Sequence, residues 1–317
     1  MNNPFIGKDF ITLKGIKRTN LEFIFDVARK MEPILEKHTR TDLLHDKVLG
    51  VAFFQVSTRT RMSFESAMAR LGGGVVGFSD PKTTRAGDYY AESLQDVMRM
   101  MDGYADAIVI RHPQSGAPAG AATVAEVPVI NAGDGYNEHP TQSVQDVYTI
   151  LKTKGTVDGL KIALVGDMNM RVMHSLPLAL AQFKTHVYFI SPSDQAMPQL
   201  WLDEFEKVGL SYEQRVDLEG ILKELDVIYL MGTKTPSYAE GRTEVKTDRP
   251  QTPQPYVIDR EKINRAKKGI IVMHPLPRVD ELPTDVDTMD AAFYFKQANY
   301  GVAVRMAILA LIFGKLP

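Results

Sequence analysis

The run Phe53-Phe54-Gln55-Val56-Ser57-Thr58-Arg59-Thr60-Arg61-Met62-Ser63-Phe64-Glu65 decides how the rest of the chain is read. Residues 48–54 form a short apolar stretch suited to a buried strand. From Met62 the apolar positions switch to helical spacing at Phe64, Met68 and Leu71, and stop at Gly72-Gly73-Gly74. Residues 57–61 therefore occupy a strand-to-helix junction. A helix N-terminus leaves backbone N–H groups without an internal partner and carries about half a positive charge, so an anion is favoured there. A lone Ser or Thr in such a place commonly does no more than cap the helix. Two arginines interleaved with three hydroxyls imply more, and the first inference is a site for a short anionic ligand.

Working outward, strand-like runs recur at 74–78, 107–110 and 127–131, separated by helical stretches such as 91–104. After a helix over 141–153, the polar link 154–159 reads as a boundary. A second series follows, with strands at 160–165, 186–190, 226–231 and 269–273 and helices at 171–183 and 198–208. This alternation predicts an α/β fold of two domains, each a parallel sheet flanked by helices. Upstream, residues 20–37 carry an amphipathic helix (Leu21, Ile24, Val27, Met31, Ile34) that Thr19 or Asn20 is expected to cap and Pro33 to bend or end early. Downstream, residues 301–313 form a last helix rich in Val, Met, Ile and Leu. Open parallel sheets bind ligands beyond the carboxyl ends of their strands. Residues 57–61, Arg111, residues 133–142, 167–171 and 274–278 each follow a strand, which predicts one cleft between two domains.

Composition narrows the partners. The chain has 317 residues, and a net charge of -2 gives no electrostatic reason to expect nucleic acid or an anionic membrane. With 0 cysteines, disulfides, thiolate nucleophiles and cysteine-based zinc sites are excluded. His112, His174 and His274 lack the paired spacing of a zinc site. Residues 1–17 mix charged and polar side chains without the apolar centre of a signal peptide, and no apolar run approaches the ~20 residues of a membrane span. A cytoplasmic location is the expectation.

Taken in order, Ser57-Thr58-Arg59-Thr60-Arg61, Arg111-His112-Pro113, His139-Pro140-Thr141-Gln142 and His274-Pro275-Leu276-Pro277-Arg278 resemble the aspartate/ornithine carbamoyltransferase family, nearest its aspartate-using members, over nearly the whole chain. The resemblance implies transfer of the carbamoyl group of carbamoyl phosphate to an amino group. Aspartate is the default acceptor, in pyrimidine biosynthesis, and the assembly is a homotrimer with shared sites. Residues 1–153, with 301–317 packing back on them, correspond to the carbamoyl-phosphate-binding domain, and 154–300 to the acceptor domain. Ser57, Thr58, Arg59 and Thr60 would hold phosphate, with Arg111 bridging phosphate and carbonyl. His139 would donate to the carbonyl oxygen, Gln142 would bind the carbamoyl nitrogen, and the Pro275 and Leu276 carbonyls would accept from it, across a cis Leu276-Pro277 bond. Arg59, Thr60, Arg111 and His139 are thus the catalytic candidates. Arg171 matches an acceptor-binding arginine, and Arg305 a position in the closing helix. No metal or organic cofactor is expected, because the leaving group is already activated and the task is positioning and charge stabilisation.

Three places depart from the family pattern. Tyr90 stands where a mobile-loop lysine would reach a neighbouring subunit, with Lys82 and Arg85 the cations at hand. Gln55 replaces a glutamate. Gly232-Thr233-Lys234-Thr235-Pro236 replaces a segment whose arginine and glutamine grip the dicarboxylate, leaving Lys234 and Arg242 as acceptor-binding candidates or as plain solvated loop charges. Three readings stay open: aspartate as acceptor, a different amino or ureido acceptor, or a non-catalytic paralogue that binds phosphate or a partner chain.

Overall fold

The first regular element of the computed structural model, α1 (Arg18–Glu36), buries Leu21, Ile24, Phe25, Val27, Ala28 and Met31 as one stripe. Two local expectations are corrected here. Lys17 is the N-cap, and Asn20 serves three residues on, its Oδ1 accepting the Lys17 N–H at 3.1 Å. Pro33 does not end the helix early: it sits in the last turn, where its own carbonyl still accepts from Lys37 N–H at 3.1 Å. The structure describes residues 3–87, 92–233 and 251–317.

The chain divides into two units, Met1–Gln145 with Asn299–Pro317, and Asp146–Ala298. The first is built on β1 (Val48–Phe53), α2 (Arg59–Arg70), β2 (Gly74–Phe78), α3 (Leu94–Asp102), β3 (Ala107–His112), α4 (Ala117–Ala122), β4 (Val129–Asp134) and the first residues of α5 (Pro140–Lys154). Its four strands pair in parallel in the order β2-β1-β3-β4. The chain therefore leaves β1 toward one edge and returns on the other side as β3. The switch point lies between those two strands, where the register sets Phe53 beside Arg111. Ala52, Val97, Met98, Met101, Ile108, Ile110, Ala121 and Val129 close one core over the sheet, each large apolar side chain contributing about 1.5–3 kcal/mol on burial.

The second unit holds β5 (Lys161–Val165), α6 (Arg171–Leu180), β6 (His186–Ile190), α7 (Gln199–Lys207), β7 (Ser211–Arg215), β8 (Val227–Leu230), α8 (Arg260–Arg265), β9 (Ile271–Met273) and the first residues of α9 (Tyr294–Ile312). Its five strands are parallel in the order β7-β6-β5-β8-β9, which puts the switch point between β5 and β8. β7 escaped the sequence reading because it is an edge strand of polar residues with little burial. The last helix also begins earlier than expected, at Tyr294 and not at 301. Gly301 looks like a helix boundary, yet a Cβ there would lie 2.1 Å from Gln145 Oε1, so the glycine marks a close approach of α9 to α5. Residues 303–312 of α9 are almost wholly buried within the first unit.

Candidate active site

In the first unit the decisive stretch folds as its pattern dictates. β1 is buried over its last five residues, and α2 starts at Arg59 behind Thr58, whose side chain makes no capping hydrogen bond. The hydroxyl is thus not consumed by the helix, and the first-turn N–H groups point out of a 12-residue helix. Thr58 and Arg59 are exposed, Ser57 is half-buried and Thr60 is buried. Arg61 pairs with Glu65 at 2.7 Å, while Arg59, the first residue of the helix, is exposed.

Two further segments meet this turn. Thr60 Oγ1 lies 3.4 Å from His139 Nε2, both side chains buried, which joins residues far apart in sequence. His139 immediately precedes α5, whose first residue is Pro140, a position where a missing N–H costs nothing. Gln142 follows on the first turn of α5 and is 8% exposed. From β3, Arg111 donates through Nε to Gln55 Oε1 at 3.1 Å and through Nη1 to the Ala132 carbonyl at 3.3 Å. An amide oxygen orients the guanidinium without neutralising it. Gln55, standing where the family pattern has a glutamate that organises nearby arginines, is therefore a structural partner of Arg111.

The loop ahead of His139 is held by buried acids. Asp134 accepts from Gly116 N–H at 2.6 Å and from Asn137 Nδ2 at 2.8 Å. Gly135 has φ +48, and a Cβ there would meet Ser115 N at 2.6 Å, so only glycine fits. Glu138 accepts from the Thr12 hydroxyl and from Leu13 N–H, and its burial, opposed by those bonds, raises its pKa. Burial also lowers the pKa of His112, whose Nδ1 accepts from Gln114 N–H at 3.0 Å.

In the second unit the β5–α6 junction repeats the strand-turn-helix plan. Gly166 has φ +127, and a Cβ would lie 1.8 Å from the Met231 carbonyl, so the turns after β5 and β8 touch backbone to backbone. Arg171 is the first residue of α6 and is 3% exposed. His174 Nε2 lies 2.8 Å from the Met168 carbonyl and its ring stacks on Trp201 at 4.6 Å, fixing the turn in front of Arg171. After β9, the segment from His274 carries the cis Leu276-Pro277 bond, with Leu276 at φ +60. Arg278 pairs with Asp287 through both terminal nitrogens, and burial followed by the Asp287 bond raises the pKa of Tyr294.

The structure thus brings Ser57, Thr58, Arg59 and Thr60 together with His139 within one unit, and places Arg111 and Gln142 on the neighbouring strand and helix ends. Pro275, Leu276 and Arg171 lie at strand ends of the other unit. Lys234, Arg242 and Tyr90 lie outside the described residues. Among the described residues no group of three or more His, Asp or Glu is arranged to hold a metal ion, and no helix is long and apolar enough to cross a membrane.

Residues 8–152 match the family model described as aspartate/ornithine carbamoyltransferase, carbamoyl-P binding domain, and residues 158–312 match the aspartate/ornithine carbamoyltransferase, Asp/Orn binding domain. The chain is 43% identical over 311 residues to the aspartate carbamoyltransferase catalytic subunit of Thermococcus gammatolerans, covering 98% of this chain and 99% of that one. It is 40% identical over 306 residues to the subunit of the same name from Chromobacterium violaceum, covering 96% and 97%. Among solved structures it resembles aspartate transcarbamoylase from Trypanosoma cruzi in complex with carbamoyl phosphate and aspartate, with a TM-score of 0.86 and 34% identity over 98% of both chains.

Proposed function

The chain belongs to the aspartate/ornithine carbamoyltransferase family, and from that premise we propose that it transfers the carbamoyl group of carbamoyl phosphate to the amino group of aspartate, giving N-carbamoyl-aspartate and phosphate. The observation that carries this reading is the α2 terminus. Its N–H groups, the uncapped Thr58 hydroxyl and the exposed Arg59 suit a phosphate dianion, and Thr60 brings them against His139, which suits the adjoining carbonyl.

In this reading the neutral amine attacks the carbamoyl carbon, negative charge builds on the carbonyl oxygen, and the bond to the phosphate oxygen breaks as the amine loses its proton. Ser57, Thr58, Arg59 and Thr60 hold the phosphate. Arg111, oriented by its amide partner Gln55, spans phosphate and carbonyl. His139 donates to the carbonyl oxygen, Gln142 and the Pro275 and Leu276 carbonyls take the carbamoyl nitrogen, and Arg171 takes a carboxylate of the acceptor, with Lys234 or Arg242 as the second cation. Residues 1–153 with 301–317 act as the carbamoyl phosphate domain and 154–300 as the acceptor domain.

The exposed Val56, Met62 and Val76, 59%, 58% and 44% accessible on the turn, α2 and edge strand β2, support a homotrimer in which neighbouring copies cover this face. The proposed setting is cytoplasmic pyrimidine biosynthesis. The test is an assay of the purified protein with carbamoyl phosphate and a panel of amino and ureido acceptors. Phosphate and N-carbamoyl-aspartate should appear in equal amounts and require aspartate. Turnover with another acceptor alone would reassign the substrate. Sedimentation at micromolar concentration should give a trimer, and a monomer would refute the shared-site arrangement.

A further inference from the structure

Within the second unit, His274 and Glu281 form a buried pair at 2.9 Å, His274 Nε2 to Glu281 Oε1, with side chains 1% and 2% exposed. The other ring nitrogen, Nδ1, is 2.7 Å from the backbone N of Leu276. An N–H can only donate, so Nδ1 carries the lone pair, the ring proton is on Nε2, and that proton is directed at the Glu281 carboxylate. Both nitrogens are engaged inside the protein and neither is left for a substrate. The histidine therefore acts on the main chain.

Its bond to Leu276 spans two residues, the pattern by which an asparagine or aspartate side chain holds its own backbone in a turn. Leu276 has φ +60, a conformation a leucine keeps only where its surroundings impose it. The anchoring extends further. Glu281 Oε1 also accepts from Val279 N–H at 3.0 Å, and His274 N–H donates to Gln297 Oε1 at 2.9 Å. Gln297 in turn donates to Asp146 at 2.7 Å, whose other oxygen accepts from Tyr229 OH at 2.8 Å. A chain of buried polar groups thus ends on Leu276, one of the two adjacent residues whose carbonyls are assigned to the carbamoyl nitrogen.

We propose that His274 and Glu281 are positioning residues that aim the Pro275 and Leu276 carbonyls at the carbamoyl N–H groups and so make the site select a carbamoyl over an acyl phosphate. This rests on the reading above that those carbonyls bind the carbamoyl nitrogen.

The experiment compares binding of carbamoyl phosphate, acetyl phosphate and inorganic phosphate to the full chain by calorimetry. Acetyl phosphate keeps the phosphate and carbonyl but has a methyl in place of the amino group. The parent should prefer carbamoyl phosphate. His274→Asn, whose Oδ1 can accept the same N–H, should keep that preference. His274→Gln, of similar polarity but with its amide too far out to close the turn, should lower it about tenfold, with affinity for acetyl phosphate and inorganic phosphate unchanged. Glu281→Ala should act like His274→Gln and decides the matter where the glutamine variant does not fold. A parent that prefers carbamoyl phosphate while His274→Gln and Glu281→Ala, both folded, keep the preference would overturn the positioning role and leave the carbonyl assignment standing. A parent with no preference would overturn the carbonyl assignment itself, and this proposal with it.

Discussion

The β1–α2 and β5–α6 junctions follow one plan and end in opposite states. Each leads from a buried parallel strand at its sheet's switch point into a helix whose first residue is an arginine. Arg59 is exposed, whereas Arg171 is 3% exposed. The turn before Arg59 ends in Thr58, whose hydroxyl does not cap the helix. The turn before Arg171 is pinned at Gly166 against the Met231 carbonyl and at Met168 by His174. One terminus is open for a small dianion, and the other presents a cation already fixed by its surroundings. The position of an arginine in a motif does not set its energetics; its burial does.

Removing each arginine should have the largest effects. Arg59→Ala should weaken carbamoyl phosphate binding by about 10- to 150-fold, the equivalent of a charge-assisted contact of about 1.5–3 kcal/mol, with a smaller loss of urea stability than Arg171→Ala. Arg171→Ala should raise the aspartate KM and also cost about 1–3 kcal/mol of stability, because it deletes a charged side chain that is 3% exposed. Calorimetric titration, steady-state kinetics and urea unfolding on the three proteins separate the two patterns. Equal stability losses would break the contrast.

A smaller effect is expected from salt. Raising ionic strength from about 0.05 to 0.5 M should raise the carbamoyl phosphate KM several-fold, because the ligand meets a solvent-facing cation. The aspartate KM should change less.

Much of the fold was legible because it is local. Residues 186–190 form a strand buried over its last four residues, as the apolar run implied, and the change of period at Met62 gave the start of α2 to within a few residues. The site was legible only in words. Its joints were not, because they depend on topology. Thr60 meets His139 across 79 positions and Thr12 meets Glu138 across 126, and no periodicity encodes such pairs. Gly301 misled for the converse reason, since a residue that usually breaks a helix is kept here for close packing of α9 on α5. Glu281 carried no signal at all beyond being an acid seven positions after a histidine.

The smallest expected effect belongs to that acid. Burial pushes Glu281 up, but the His274 bond and the Val279 N–H hold its pKa below the ordinary value of 4.5. A lowered carboxylate contributes stability that is full above its unfolded pKa and is lost as pH falls through the folded one. Glu281→Gln does not titrate. Its urea stability should therefore trail the parent by a constant margin at neutral pH, and that margin should shrink below about pH 4.5. A margin independent of pH would show that the carboxylate's charge contributes nothing.

The most direct test of the division between the two junctions is calorimetric titration of carbamoyl phosphate into the parent, Arg59→Ala and Arg171→Ala without acceptor. Arg171→Ala should keep near-parent affinity and Arg59→Ala should lose at least about tenfold. Affinity lost in Arg171→Ala and kept in Arg59→Ala would contradict that division.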